Sequence, residues 1–288
     1  MLKYIFLIGS ETPMDLLTLS LFLKGMPTGE LVVGVQRGEL LNYKNISTTF
    51  KVIKKSGIFF AGYNVFLNMG RKLMFDRKAI VPDVETLQKQ FGFPLFYFIN
   101  VNDEEALSNF RNYSPDVIIN HMPQVVRAPL INLFPRGVIN IHPGLLPDYQ
   151  GMGSCIWPLI DDNEFHGTTL HYIDSDKIDV GPIITSGRFP IQSKDSALSL
   201  HIKSRIIAAT LANYVLNRLS KGENVLSKSQ VGGVYHKLPD KYSLKRMRNK
   251  GHKYVTLSDR KIVSENTLKK FEYYDDKTGW DWKEWVLR

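Results

Sequence analysis

Short apolar runs alternate along this chain with longer stretches whose apolar residues recur at helical spacing. Leu2 to Ile8 is one such run, ending at Gly9-Ser10, the pattern of a buried strand entering a turn. Pro13 opens a helical stretch to about Lys24, because the fixed φ of proline suits a first helical turn. Further strands are expected at Leu31–Val35, Leu95–Ile99, Asp116–Asn120 and Gly137–His142, with helices over Asp103–Asn112 and Val125–Leu133. A helix near Gly153–Asp161, a strand His166–Ile173, a polar loop, a strand Gly181–Ser186 and a long helix Ser196–Leu219 follow. Strands alternating with helices predict an α/β fold with a doubly wound, mostly parallel sheet. Ligands of such sheets bind beyond the carboxyl ends of the strands, where Gly137–His142 delivers Asn140 and His142.

Two segments depart from a minimal α/β layout. Lys44 to Lys78 carries Lys44, Lys51, Lys54, Lys55, Arg71, Lys72, Arg77 and Lys78 against Asp76, interleaved with Phe59, Phe60, Tyr63, Phe66, Leu67 and Leu73. A basic, aromatic helix pair of this kind lies on a membrane, meets a partner or lines a cleft; it is also what ordinary cover for one sheet face looks like. The second segment, a short C-terminal extension over residues 234–288, is basic at first and acidic and aromatic at its end. Lys237, Lys241, Lys245, Arg246, Arg248, Lys250 and Lys253 read as a solvated helix face or as phosphate contacts. Trp280, Trp282 and Trp285 suggest a docked end. The expected division is therefore 1–233 for the main domain and 234–288 for the extension.

Composition adds three constraints. A hydrophobic fraction of 43% and a charged fraction of 23% are those of a globular chain with a real core. The net charge of +9 favours an anionic partner or a surface kept basic for solubility. The one cysteine, Cys155, excludes an intrachain disulfide and a cysteine-based zinc site; in its apolar run it reads as a core residue. No stretch is apolar for long enough to span a bilayer, and a cytoplasmic location is the expectation.

The candidate chemistry sits in Val138-Ile-Asn-Ile-His-Pro-Gly-Leu-Leu-Pro-Asp-Tyr-Gln-Gly151. Asn140 and His142, two apart on a strand, point to one side, and Pro143-Gly144 ends the strand. Asp174-Ser-Asp-Lys-Ile-Asp179-Val-Gly-Pro182 supplies a carboxylate in a loop before the next strand. Amide, imidazole and carboxylate suit acyl transfer to an amine. Asn140 and His142 can both donate to a developing oxyanion. Asp179 can orient His142 or accept the amine proton, directly or through water. Neither a metal nor a covalent intermediate is needed. Each residue taken singly also has an ordinary structural reading as a turn former or a satisfied histidine.

The runs NIHPGLLPDYQG and HGTTLHYIDSDKIDVGPII resemble the formyltransferases that use N10-formyltetrahydrofolate. The family pattern, Asn-x-His-Pro-Ser-Leu-Leu-Pro, Gly-x-Thr-x-His and Asp-x-Gly, is met by Asn140, His142, Pro143, Leu145, Leu146, Pro147, Gly151, Gly167, Thr169, His171, Asp179 and Gly181. Weaker similarity runs through Tyr113–Met122 and extends over Leu2 to about Val231. The resemblance implies a Rossmann-like formyltransferase fold, N10-formyltetrahydrofolate as co-substrate, and Asn140, His142 and Asp179 as the catalytic trio. It also places Met122, Pro123, Gln124, Val125, Ile173 and Asp174 at the folate. Gly144 stands where serine is usual, a change a turn accepts; the loop between His171 and Asp179 is one residue longer than usual; and Pro123-Gln124 is unusual at the pocket entrance.

For the acceptor, the family offers several amines. Glu11 after the first strand would repel the phosphate of glycinamide ribonucleotide. The tRNA enzymes resembled carry a C-terminal barrel for which residues 234–288 are few, and the folate hydrolases an N-terminal domain where this chain starts its first strand at residue 2. The layout matches sugar N-formyltransferases, which implies the amino group of a nucleotide-linked deoxyaminosugar as acceptor. This small anionic substrate would meet the basic surface; nucleic acid is disfavoured as a partner, and a homodimer stays open. The alternatives are methionyl-tRNA or another amine, and a catalytically silent folate- or nucleotide-binding module. An oxidoreductase is set aside because Gly9-Ser-Glu-Thr replaces a dinucleotide-binding glycine fingerprint.

Overall fold

The computed structural model describes residues 1–37, 46–69, 74 and 81–263. Lys44, Arg71, Lys72, Leu73, Asp76, Arg77, Lys78, Trp280, Trp282 and Trp285, singled out in the sequence, lie outside the described residues.

The strands are β1 Lys3–Ile8, β2 Glu30–Gln36, β3 Leu95–Phe98, β4 Val117–His121, β5 Val138–His142, β6 Gln150–Gly151, β7 Phe165–Ile173, β8 Ile183–Pro190 and β9 Tyr235–His236. The helices are α1 Pro13–Gly25, α2 Ile46–Ser56, α3 Ile58–Met69, α4 Val84–Phe91, α5 Glu104–Tyr113, α6 Ala128–Ile131, α7 Trp157–Asp161, α8 Ala197–Ser220 and α9 Lys241–Asn249. Seven strands form one sheet in the order β3-β2-β1-β4-β5-β7-β8, and β6 pairs with β9 apart from it. The first five strands of the sheet run parallel; β7 and β8 join antiparallel. This is the doubly wound, mostly parallel, Rossmann-like sheet the alternation of elements predicts.

Both faces of the sheet are covered, which is why β1 reads as a continuous apolar run. Its Tyr4, Phe6 and Ile8 pack into one core with α1, α3 and α8. Ile5 and Leu7 pack into the other with Phe110 of α5 and Leu130 of α6. The chain winds outward from β1 through β2 to β3, then returns to place β4 on the other side of β1. The carboxyl ends of β1 and β4 therefore meet at a point where the strand order reverses, and α/β sheets open a crevice there.

Two expected helices are shorter than the sequence pattern suggests. Val125–Leu133 is helical only over Ala128–Ile131, and Gly153–Asp161 only over Trp157–Asp161. In both, a proline in the first turn starts the helix and rules out helix upstream, since its ring would clash there and it offers no N–H. The α2–α3 pair packs into the main core, with α3 against α1, and Phe60, Tyr63 and Leu67 of α3 also line the cavity at the carboxyl ends of the strands, so the segment serves both as cover and as cleft lining. Val52 and Ser56 face inward while Phe50, Lys51, Lys54, Lys55, Ile58 and Phe59 face solvent. Residues 234–263, expected to belong to an extension, pack against the rest of the chain. Leu244 and Met247 of α9 enter the main core, Trp157 Nε1 donates to Lys237 O at 2.9 Å, and the Ala197 and Leu198 amides donate to Lys253 O and Tyr254 O. The lysines and arginines of α9 are solvent-exposed.

Candidate active site

A cavity of about 550 Å³ opens at the carboxyl ends of β1, β4 and β5, within the size range of small-molecule sites. Strand register builds its floor. Asn120 of β4 pairs with Asn140 of β5, and Asn140 with His171 of β7, so three polar side chains form a row across three adjacent strands. Asn120 Nδ2 donates to Asn140 Oδ1 at 2.7 Å. Asn140 Nδ2 lies 3.0 Å from His171 Nε2 and 3.5 Å from Asp179 Oδ1. His171 Nδ1 is 2.9 Å from the Tyr172 carbonyl, which can only accept, so the ring carries its proton on Nδ1 and Nε2 accepts from Asn140.

His142, two residues along β5, is buried. Its Nε2 lies 2.7 Å from Tyr149 O and its Nδ1 3.3 Å from Asp179 Oδ2. The Nε2–H is therefore spent on the Tyr149 carbonyl and is not free to face an oxyanion, unlike the shared role the sequence pattern allows. Burial drives the His142 pKa below the ordinary imidazole value; the Asp179 carboxylate opposes this and His171 adds to it. The ring is thus neutral at neutral pH, with the Nδ1 lone pair facing Asp179.

Asp179 is held from several directions. Gly151 N donates to its Oδ2 at 2.9 Å and Gln230 Nε2 to its carbonyl at 3.0 Å. These bonds over-determine a left-handed backbone (φ 57°) that a non-glycine residue adopts only under constraint. Burial raises the carboxyl pKa, but the His142 ring, His171 and the Gly151 amide outweigh it and hold the value at about 2. Gly181 follows because a Cβ there would overlap the Tyr172 carbonyl oxygen. Gly144 has an equally specific reason. A Cβ at that position would stand 2.7 Å from His142 Nε2, so the site uses glycine to admit the ring and not merely to turn the chain.

The structure thus brings Asn140, His142 and Asp179 to one cavity wall. Met122, Pro123, Gln124, Val125, Ile173 and Asp174 line the same cavity. The Gln124 side chain is otherwise engaged: Oε1 accepts from Val101 N at 2.8 Å and Nε2 donates to Ile99 O at 2.7 Å, tying the β3 and β4 loops together. Glu11 is not part of the cavity wall, whereas Gly9, Ser10 and Thr12 are. Sequence reasoning missed Asn120, Gln230, Asp15, His121, His201 and Arg205. Asn120 was findable, since it directly precedes His121 at the end of a strand that points at the site.

The fold and site together define a Rossmann-like protein with an amide, an imidazole and a carboxylate at the switch point of its sheet. The formyl transferase family model matches residues 75–213 of the chain. A methionyl-tRNA formyltransferase from Citrifermentans bemidjiense is 28% identical over 153 residues, 53% of this chain and 48% of that protein. The chain thus matches about half the length of this curated relative. The crystal structure of phosphoribosylglycinamide formyltransferase from Anaplasma phagocytophilum superposes with a TM-score of 0.55 at 16% identity, over 82% of this chain and 98% of that one. The N-formyltransferase from Helicobacter canadensis, in complex with folinic acid and dTDP-3-aminofucose, superposes with a TM-score of 0.51 at 16% identity, over 82% and 71%. At these identities the two structures share the fold with this chain. Among the described residues, no helix is long and apolar enough to cross a membrane.

Proposed function

We propose that this protein transfers a formyl group from N10-formyltetrahydrofolate to a primary amine, with the amino group of a nucleotide-linked deoxyaminosugar as acceptor. The observation that carries the reading is the meeting of Asn140, His142 and Asp179 on one cavity wall, in a chain whose residues 75–213 match the formyl transferase family model. The cavity fits a formyl-folate by chemistry: Met122, Pro123, Val125 and Ile173 are apolar cover for a flat ring system, and Asp174 lies beside them for polar ring edges. When bound, the folate supplies an activated one-carbon unit at the formyl oxidation level.

The chain's own residues then have separable tasks. Asn140 Nδ2 donates one hydrogen to His171; its other hydrogen has only the long contact to Asp179 and stabilises the oxygen that gains charge as the amine adds. His142 Nδ1 takes the amine proton, which comes to lie between the ring and the Asp179 carboxylate 3.3 Å away; the ring then returns a proton to the folate nitrogen as that nitrogen's bond to the formyl carbon breaks and tetrahydrofolate leaves. The low pKa of Asp179 keeps it anionic, so it stabilises the imidazolium without itself competing for the proton.

The acceptor rests on the sugar-linked relative. The structure from Helicobacter canadensis holds dTDP-3-aminofucose, itself a nucleotide-linked aminosugar. The curated methionyl-tRNA relative favours a second reading, an aminoacyl-tRNA acceptor. A turnover assay with N10-formyltetrahydrofolate, offering nucleotide-linked aminosugars and charged initiator tRNA in parallel, separates them. Asn140→Ala and His142→Ala should each lower turnover by about a hundredfold or more, the scale of losing an oxyanion donor or a general base. Near-normal turnover in either purified variant would remove the assignment. Folate binding without transfer to any amine would favour a silent binding module.

A further inference from the structure

The cavity has a second polar region that formyl transfer leaves unused. Tyr63 of α3 is buried, and its hydroxyl has no partner among the described residues. His201 and Arg205 lie four residues apart on one face of α8, and His201 Nδ1 and Arg205 Nε are likewise buried without partners. All three residues line the cavity, and the Tyr63 and His201 rings lie 6.2 Å apart. A buried polar atom left unpaired costs roughly 1–3 kcal/mol, so three such atoms on one wall are expensive unless something completes them.

The charge on this wall says what that something is. Arg205 Nη1 donates to His121 Nε2 at 2.9 Å, a neutral ring acceptor. Among the described residues Arg205 makes no ion pair within 4 Å. Asp15 is the near carboxylate: it feels the Arg205 charge, and its Oδ1 stands 3.9 Å from His121 Nε2, but it makes no ion pair with the guanidinium within 4 Å. The other Asp15 oxygen is taken by the Thr12 hydroxyl at 2.7 Å. A neutral hydroxyl ligand could satisfy Tyr63 and His201 but would leave the guanidinium without a direct ion pair. An oxyanion satisfies all three, with the planar guanidinium suited to its oxygens.

We propose that Tyr63, His201 and Arg205 form a buried subsite for an anionic oxygen group, a phosphate or a carboxylate, carried by the acceptor. As an acceptor subsite this rests on the transfer reading above; as an anion site it stands alone. It moves recognition of the acceptor's charge from the basic exterior of the protein into the cavity.

The test is calorimetric titration of the full chain, without formyl donor, with uridine diphosphate and with malonate. Wild-type protein should bind at least one of the two. Arg205→Gln should weaken that binding at least tenfold and Tyr63→Phe severalfold. The Tyr63→Phe change keeps the ring and its packing, so it carries the test if Arg205→Gln fails to fold. Tighter binding of the diphosphate identifies phosphate as the group, and tighter binding of malonate a carboxylate. Binding of neither probe, or equal affinity in wild type and a folded variant, overturns the proposal. Anion binding that responds to these variants, in a protein that transfers no formyl group, would sink the transfer reading alone.

Discussion

The orientation of the Asn140 amide is settled by its neighbours, and this gives Asn120 a job. His171 Nε2 and Asp179 Oδ1 on one side are both acceptors, so Asn140 must turn its NH2 toward them and its oxygen toward Asn120. The Asn120 N–H that meets that oxygen holds the amide in the only flip that offers a hydrogen to the reaction. Asn120 is thus a positioning residue. Asn120→Leu frees Asn140 to rotate and should lower kcat by about tenfold or more, the scale of one lost buried hydrogen bond, with KM for the formyl donor little changed. An unchanged kcat in steady-state assays would refute the role. Gly144→Ala tests the neighbouring residue, because its Cβ would stand 2.7 Å from His142 Nε2 and displace the ring from Tyr149 or Asp179. Turnover should fall with the folate dissociation constant preserved; full activity would show that the ring accommodates the methyl group. At this scale the sequence displays Asn140, His142 and Asp179 because two share a strand face and the third sits in a polar loop close by. Asn120, His201 and Arg205 escape it because strand register and a helix remote in sequence bring them to the site, and no local pattern encodes either.

Elements are legible where local chemistry and burial agree. The bounds of α8 can be read nearly to the residue because Ser196 marks the start: its hydroxyl accepts from Ser199 N at 3.0 Å while Ser199 Oγ accepts from Ser196 N at 2.8 Å. The α4 helix escapes the sequence pattern although its signals stand in the chain. Asp83 caps Thr86 N at 2.9 Å and Gly92 closes the helix with φ 74°, but only Val84 and Leu87 of its eight residues are buried, too few for a clear period. Which strands run antiparallel is also hidden: β7 and β8 are more polar than β1, but polarity alone does not set strand direction. The Ser196 hydroxyl has a second role, donating to buried Asp259 Oδ2 at 2.7 Å and so fastening the segment around Asp259 to the start of α8. Ser196→Ala should cost about 1 kcal/mol for the cap alone, and more because the buried Asp259 carboxylate loses a donor with it. Denaturant unfolding measures this, and a destabilisation below about 0.3 kcal/mol, well under the usual cap range, would show that water replaces both bonds.

Over the whole molecule, the buried histidines give stability a pH dependence whose sign can be worked out. Burial lowers the pKa of His166 and of His201 to about 3, with smaller contributions from neighbouring cations. Burial also depresses His121 and His142. In the unfolded chain these rings bind protons near the ordinary imidazole value, about 6.5. Below that value the unfolded state holds more protons than the folded one, so protonation favours unfolding and stability falls as pH falls. Asp179 contributes in the same direction but lower on the scale: its advantage is complete above the ordinary carboxyl range and is lost only as pH drops toward about 2. The two kinds of group therefore separate. Thermal unfolding followed from about pH 8 to about pH 4 should show little change above about 7 and a steep loss from about 6.5 downward, before the carboxylate is affected. His201→Gln removes one contributor and should flatten the acid side of that curve. A melting temperature constant from about pH 7 to about pH 4.5 would mean that these rings take up protons in the folded state, and that burial does not hold them neutral.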